Sequence, residues 1–295
     1  VDRGVLRAEI LAMRELGRTP DGKQIRVGRL RADSLLLREL GRLREQSFRA
    51  VGEGTGRAVD VDAYDTWYEH IVLWDADALQ IAGAYRVCRG ADVLATRGLK
   101  GLYTASLFDF GPEAQAHVAE GMELGRSFVA PAYWGSRSLD YLWIGIGAYL
   151  RAHPDVRYLF GPVSISAELP IAAREQLVAY YGQHYGAPGV LAPVEAAPPA
   201  RARRPFQFLA DAPCYRGLDA EQSFRVLRAN LDALGAKVPV LYKQYTELCE
   251  PGGARFLAFG VDPDFANCVD GLIEVDLQRI KAKKFQRYIA GEIAA

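Results

Sequence analysis

Residues that bind metals or cross-link chains are scarce in this sequence of 295 residues. The four cysteines, Cys88, Cys214, Cys249 and Cys268, stand far apart and form no C-x-x-C pair. The four histidines complete no metal-ligand spacing with them. The pattern predicts neither a disulfide framework nor a metal site, and reduced thiols in a cytoplasmic protein are the expectation. Net charge is also missing, because 36 basic and 36 acidic side chains cancel. That argues against bulk electrostatic binding to nucleic acid but leaves room for local basic patches. No apolar run reaches the roughly 18 residues of a membrane span. The opening VDRGVLRAEI mixes charge throughout, unlike a signal peptide.

What is present is ample apolar material. Hydrophobic residues make up 50% of the chain, enough for one large domain or two small ones. Residues 34–50 place Leu36, Leu40, Leu43 and Phe48 near one helical face, with Ser34 as N-cap. HIVLWD, LQIAGAYRVC and MELGRSFV read as strands. SLDYLWIGIGAYLRAH then reads as a buried helix, RYLFGPVSI as a strand and AAREQLVAYYGQHY as a helix. This succession predicts an α/β fold on a mixed sheet. The expected organisation is an extension over 1–33, a core over 34–185, a Pro/Ala-rich mobile loop over 186–205, and a C-terminal part, 206–295, that completes the domain. Two helices (222–234, and one after Pro239) and the strand-like runs RFLAFGV and GLIEVDL fall in that last part.

Four polar groups are candidates for chemistry: Arg44 with Phe48 on one helix face; Asp62 with Asp65; Arg86 at the end of AGAYR; and Glu123 with Arg126 inside an apolar strand. A buried charge needs a partner or a task. Glu123 and Arg126, three apart on a strand, should face opposite ways unless a bulge at Gly125 turns one of them. A bulge would also free a backbone N–H to polarise a carbonyl. The plainer alternative is a structural ion-pair set with Arg86 and the two aspartates. Further on, Gly135, Ser136, Arg137 and Ser138 precede the buried helix, where free N–H groups suit a phosphate and serine caps would serve equally. His70 and Asp75 fit an H-x4-D acyltransferase pattern, but five steps along a strand set them on opposite faces. Two basic segments, Arg201/Arg203/Arg204 and Lys281/Lys283/Lys284/Arg287 around Phe285, read as solvated faces or as docking sites for an acidic carrier protein or anionic lipid.

In order and spacing, R-x3-F, D-x2-D, G-x-Y-R and E-L-G-R resemble the carrier-dependent branch of the GCN5-related N-acyltransferases, which includes N-acyl-homoserine-lactone synthases. Those synthases carry a tryptophan shortly after the Phe, where this chain has VGEGTG. A more extensive resemblance links LRELGRLREQSFRAVGEGTG, YEHIVLWD, ELGRSFVAPAYWGSRSLDYLW, RYLFGPVSIS, VPVLYKQYTEL and VDPDFANCVDGL to proteins that carry the label hemolysin. The same strings are similar to the N-acyltransferase half of ornithine-lipid synthases.

The resemblance implies a GCN5-related fold, a mixed sheet flanked by helices with a C-terminal extension. It also implies transfer of a 3-hydroxyacyl group to the α-amine of ornithine or a similar amino acid. Glu123 would be the base with Arg126 beside it. Arg44, Phe48, Asp62, Asp65, Arg86, Ser127, Phe128 and Val129 would form the substrate site, with the two aspartates on the side-chain ammonium. Gly135 to Ser138 would hold the phosphate of a 4'-phosphopantetheine arm. With one glycine in that cradle, a carrier-protein thioester is the expected donor ahead of acetyl-CoA, with acyl-CoA as the alternative. The implied partners are an acyl carrier protein, an O-acyltransferase and the inner membrane surface; nucleic acid is not among them.

Overall fold

Eight strands form one mixed sheet in the computed structural model, which describes residues 1–191, 197–209, 213, 215 and 217–291. In chain order the strands are β1 (Arg14–Arg18), β2 (Gln24–Arg29), β3 (Glu69–Asp75), β4 (Gln80–Arg89), β5 (Phe108–Phe110), β6 (Gly121–Val129), β7 (Tyr158–Ile165), β8 (Ala200–Ala202), β9 (Ala254–Asp262) and β10 (Cys268–Asp276). The large sheet runs β1-β2-β3-β4-β6-β7-β10-β9, while β5 and β8 form a separate ribbon. All neighbours in the large sheet are antiparallel except β6 with β7.

Helices cover both faces of the sheet, and this is why the central strands read as continuous apolar runs. In β3 every residue from His70 to Trp74 is buried. On one face the helix Ser138–Ala152 sets Leu142, Trp143, Ile146 and Leu150 against Ile71, Leu73, Tyr85 and Leu124. The helices Ile171–Tyr185 and Ala220–Ala233 extend that layer. On the other face the helices Arg3–Ala12 and Leu35–Arg49 pack Ile10, Leu36 and Leu40 against Val72, Trp74 and Ala84. Glu9 accepts hydrogen bonds from Leu35 N, Leu36 N and Ser34 Oγ, placing a negative charge on the positive end of the second helix.

Residues 1–33 are therefore not peripheral to the sheet. They supply its first two strands: β1, RELGR, is a partly exposed edge with little apolar signal, while β2, QIRVGR, lies inside the sheet and buries Gln24 to Val27. Within 186–205, residues 192–196 lie outside the described residues; Ala200–Ala202 pairs with β5, and Pro205 bridges to Gly260. The C-terminal strands β9 and β10 continue the main sheet beyond β7. Among the described residues no helix is long and apolar enough to cross a membrane. Cys88, Cys249 and Cys268 are buried and free, whereas Cys214 is outside the description.

Candidate active site

The parallel seam between β6 and β7 is short. Gly121–Glu123 pairs with Tyr158–Phe160, and then the strands part. The next residue of β7, Gly161, approaches β6 so closely that a Cβ there would lie 2.0 Å from Leu124 O. Pro162 follows and has no N–H to extend the ladder.

Across the seam from β7, β6 is bulged against β4. Gly125 pairs with Arg86 and Phe128 with Ala84, leaving Arg126 and Ser127 both opposite Tyr85. Arg126 holds φ +49°, the left-handed region that non-glycine residues rarely adopt. The bulge thus falls one residue after the expected Gly125. The extra residue restores Arg126 to the face that bears Arg86 and Glu123, and it disrupts the local ladder of N–H bonds.

A cavity of about 330 Å³ runs through this gap. Its walls include Leu124 and Val163 from one face of the sheet and Gly125, Ser164 and Asp270 from the other, so it is a passage between the two faces. Phe48 lines it and meets Phe265 edge to face at 5.1 Å. A second, more polar pocket of about 560 Å³ adjoins, lined by Asp60, Asp62, Asp262, Asp264, Arg57 and Arg204 among others. Tyr103 and Arg126 belong to both. The Arg126 guanidinium lies 4.7 Å from the Tyr103 ring and 4.9 Å from the Phe265 ring.

Three arginines and three aspartates, whose charges cancel, run from the wall of the polar pocket, at Asp60, Asp62 and Arg126, to the buried Arg44, Asp65 and Arg86 behind it. Arg44 donates to Asp65 Oδ1 at 2.7 Å, and Arg86 Nη1 is 3.2 Å from the same oxygen. Arg86 also donates to Asp62 at 2.6 Å, while Arg126 Nε sits 3.0 Å from Asp60. Burial alone would raise the Asp65 carboxyl, but the charges of Arg44 and Arg86 outweigh it and hold it well below the usual range. Arg44 donates to His70 Nδ1 at 3.1 Å, so His70 must carry its proton on Nε2, which donates to Asp65 O. Burial and then Arg44 lower the His70 pKa to about 4, so the ring is neutral near pH 7. Asp75 bonds elsewhere, to Tyr133 and Ala78 N, leaving the H-x4-D pattern unassembled.

These placements divide the expected site. Arg126, Ser127 and Phe48 line the passage, and Asp62 lines the polar pocket. Asp65, Arg44 and Arg86 are sealed within the ion network, at 0–1% exposure, and line neither cavity. Asp65 Oδ2 is also taken, by the backbone N–H of Asp62 in a capping box. Phe128 is buried against the helix Leu35–Arg49, and the carbonyl of Val129 accepts from Ser47 and from Trp134 Nε1. Glu123 lines neither cavity. Its carboxylate accepts from Tyr68 at 2.5 Å and from Thr104 N at 2.8 Å, and burial raises its pKa.

At the start of the helix Ser138–Ala152, Gly135 takes φ +74° and Ser138 N donates to Ser136 Oγ. Asp140 in the first turn lies 3.3 Å from Arg137 and 2.6 Å from Arg287, so the local balance stays basic. Arg287 reaches this point because Gly147 lets the C-terminal segment lie against the helix. A Cβ at Gly147 would meet Tyr288 O at 1.7 Å.

Sequence reasoning passed over Glu53, Asp60, Tyr103, Asp262 and Asp270. Asp270 carried a signal, since a lone acid sits between Val269 and Gly271 in an otherwise apolar buried strand. Glu53 had one as well, between the positive-φ glycines Gly52 and Gly54.

A helix-covered mixed sheet whose central strands splay around a passage defines a GNAT-type acyltransferase fold, and the acetyltransferase (GNAT) domain family matches residues 43–144. The glycine N(alpha)-acyltransferase of Phocaeicola vulgatus is 30% identical over 259 residues, covering 84% of this chain and 78% of that protein. The L-ornithine N(alpha)-acyltransferase of Rhodobacter capsulatus is 32% identical over 235 residues, covering 78% and 79%. The AHL synthase LasI superposes with a TM-score of 0.41 at 12% identity, over 93% of this chain and 99% of that one. The chain belongs to the GNAT family, in the group that contains these amino-acid N(alpha)-acyltransferases.

Proposed function

We propose that this protein is an amino-acid N-acyltransferase that moves a fatty acyl group from a phosphopantetheine thioester to an α-amine. The observation that carries the reading is the junction at Tyr103 and Arg126, where a mostly apolar passage through the sheet opens onto a charged pocket. The passage suits the thioester arm and its chain; the pocket suits a zwitterion. Arg57 and Arg204 have no ion pair among the described residues and fit the α-carboxylate. Asp60 and Asp62 line the same pocket, and their carboxylates would attract an ammonium there.

In this reading the backbone at the Arg126–Ser127 bulge faces the developing oxyanion. The helix start at Ser138 receives the pantetheine phosphate, with Arg137 and Arg287 beside it. A cradle with a single positive-φ glycine favours one phosphate, and hence an acyl carrier protein over acyl-CoA. The product is then a monoacylated amino acid, an amphiphile that a later O-acylation would turn into a two-chain lipid at the membrane surface.

Two acceptors have support. The carboxylates of the pocket favour ornithine, whose second ammonium they would pair, whereas the relative in Phocaeicola vulgatus is named for glycine. The purified protein is to be given acyl carrier thioester with ornithine or with glycine, and the products weighed by mass spectrometry. Acyl-ornithine in excess is expected. Acyl-glycine alone would move the assignment to glycine, and no acylated amine from carrier or CoA donors would overturn the reading.

A further inference from the structure

The polar face of the sheet carries a row of residues perpendicular to the strands. His70 on β3 stands opposite Arg86 on β4, and Arg86 opposite Gly125 on β6. Beyond the splay, Ser164 on β7 stands opposite Asp270 on β10, and Asp270 opposite Gly260 on β9. Asp270 is thus the first carboxylate across the gap from Gly125. A Cβ on Gly125 would meet nothing within 4 Å, so the space between is open. Asp270 and Glu53 both line the passage on this side, close to Arg126 and Tyr103, where the passage meets the polar pocket.

We propose that Asp270, with Glu53 as its neighbouring carboxyl, is the proton acceptor for the attacking amine. This rests on the acyltransferase reading above. The amine arrives as R–NH3⁺ and must shed one proton before its lone pair can attack the thioester carbonyl carbon. Asp270 takes that proton. The C–N bond forms, the C–S bond breaks, and the second proton on nitrogen goes to the departing sulfur, which leaves as the thiol. The proton on Asp270 then passes to solvent, so one acyl thioester and one ammonium yield one amide, one thiol and one H⁺.

The surroundings suit the task. Asp270 is 2% exposed, and its Oδ1 accepts from Ser164 Oγ at 2.6 Å. Asp262, its diagonal neighbour on β9, is bound by Tyr103 OH at 2.7 Å. Burial, then the charge of Asp262, raise the Asp270 pKa, while the Ser164 bond and Arg126 oppose them; the result is about 7. Glu53 is pushed up to about 8 by burial and by Asp270. Tyr242 from the helix Val240–Thr246 and Cys268 on β10 also face this pair, and burial raises both, so they stay neutral. Glu53 is held in place through its chain neighbour, because Gly52 O accepts from Ser164's strand-end companion Ser166 at 2.7 Å. A carboxyl poised near neutral pH is what a general base for an ammonium requires. Glu123, sealed behind Tyr68 and Thr104, has no access to either cavity.

The test is the pH profile of kcat/KM for the purified full chain with acyl carrier thioester and amine. In the wild type the rate should fall as pH drops through about 7, because the base becomes protonated. Asp270→Asn should lower kcat by about 10²–10⁴-fold and abolish that limb, with little change in donor KM. Ser164→Ala removes a bond that favours the charged form, so the limb should move to higher pH. An Asp270→Asn protein with wild-type kcat and limb would overturn the proposal while leaving the acyltransferase reading intact. So would loss of the limb in Glu53→Gln instead, or an unmoved limb in Ser164→Ala. A wild type that acylates no amine brings down the acyltransferase reading, and the assignment of Asp270 with it.

Discussion

Asp65 has two buried arginines on one oxygen and a backbone N–H on the other, so its charge balances the site without meeting solvent. Its neighbour Asp62, 23% exposed in its side chain, accepts from Arg86 through Oδ1 and lines the pocket. The difference separates structure from binding. Asp65→Asn leaves Arg44 and Arg86 under-compensated, and removing one partner of a buried pair typically costs about 3–5 kcal/mol. Urea unfolding of this variant should show a loss of that size. Asp62→Asn should instead raise the amine KM with a smaller effect on stability. The two aspartates look alike in the D-x2-D pattern, and only the packing tells them apart.

The strand β6 does the most at the scale of elements. Its first three residues bind β7, its last two are back in register with β4, and the bulge lies between them at the opening in the sheet. Two glycines bracket this behaviour. Gly161 sits at the tight seam, where an added methyl would collide with Leu124 O, whereas Gly125 faces the open passage. Gly161→Ala should destabilise the fold by about 1–3 kcal/mol, as overpacking does, visible as a lower Tm. Gly125→Ala should leave Tm nearly unchanged and raise the KM for long-chain donors. The strand itself was legible as the run MELGRSFV. Its bulge was expected from the glycine but occurs at Arg126, because Gly125 keeps its pairing with Arg86 and the extra residue follows.

Over the whole molecule, charge is neutral in sum but uneven in place. Lys283, Lys284 and Arg287 lie in the C-terminal segment that packs along the helix Ser138–Ala152, and Arg287 reaches Asp140 in that helix's first turn. In the sequence these basic residues are some 150 positions from Arg137; the fold brings Arg137 and Arg287 onto the same carboxylate, Asp140. In the carrier-dependent reading proposed above, an acidic carrier delivering a phosphate arm would meet this face. Neutralising Lys283 and Lys284 together should raise the KM for carrier-bound donor several-fold at low salt, with the difference shrinking as salt screens the contact. A matching acyl-CoA donor should be affected less, because it lacks the carrier's acidic surface.

Composition and periodicity by themselves determined the α/β class, the central strands and the long amphipathic helices, because burial on both faces or on one stripe writes a local pattern. Residue spacing also singled out Arg126 and Asp62, which do line the cavities. Where Glu123, Asp65, Glu53 and Asp270 lie relative to the cavities was decided by the tertiary structure. A charge in an apolar strand looks the same whether it faces a sealed network or an open passage. Which one it faces depends on the splay of β6 from β7 and on β10 lying beside β7, a pairing of residues more than a hundred positions apart.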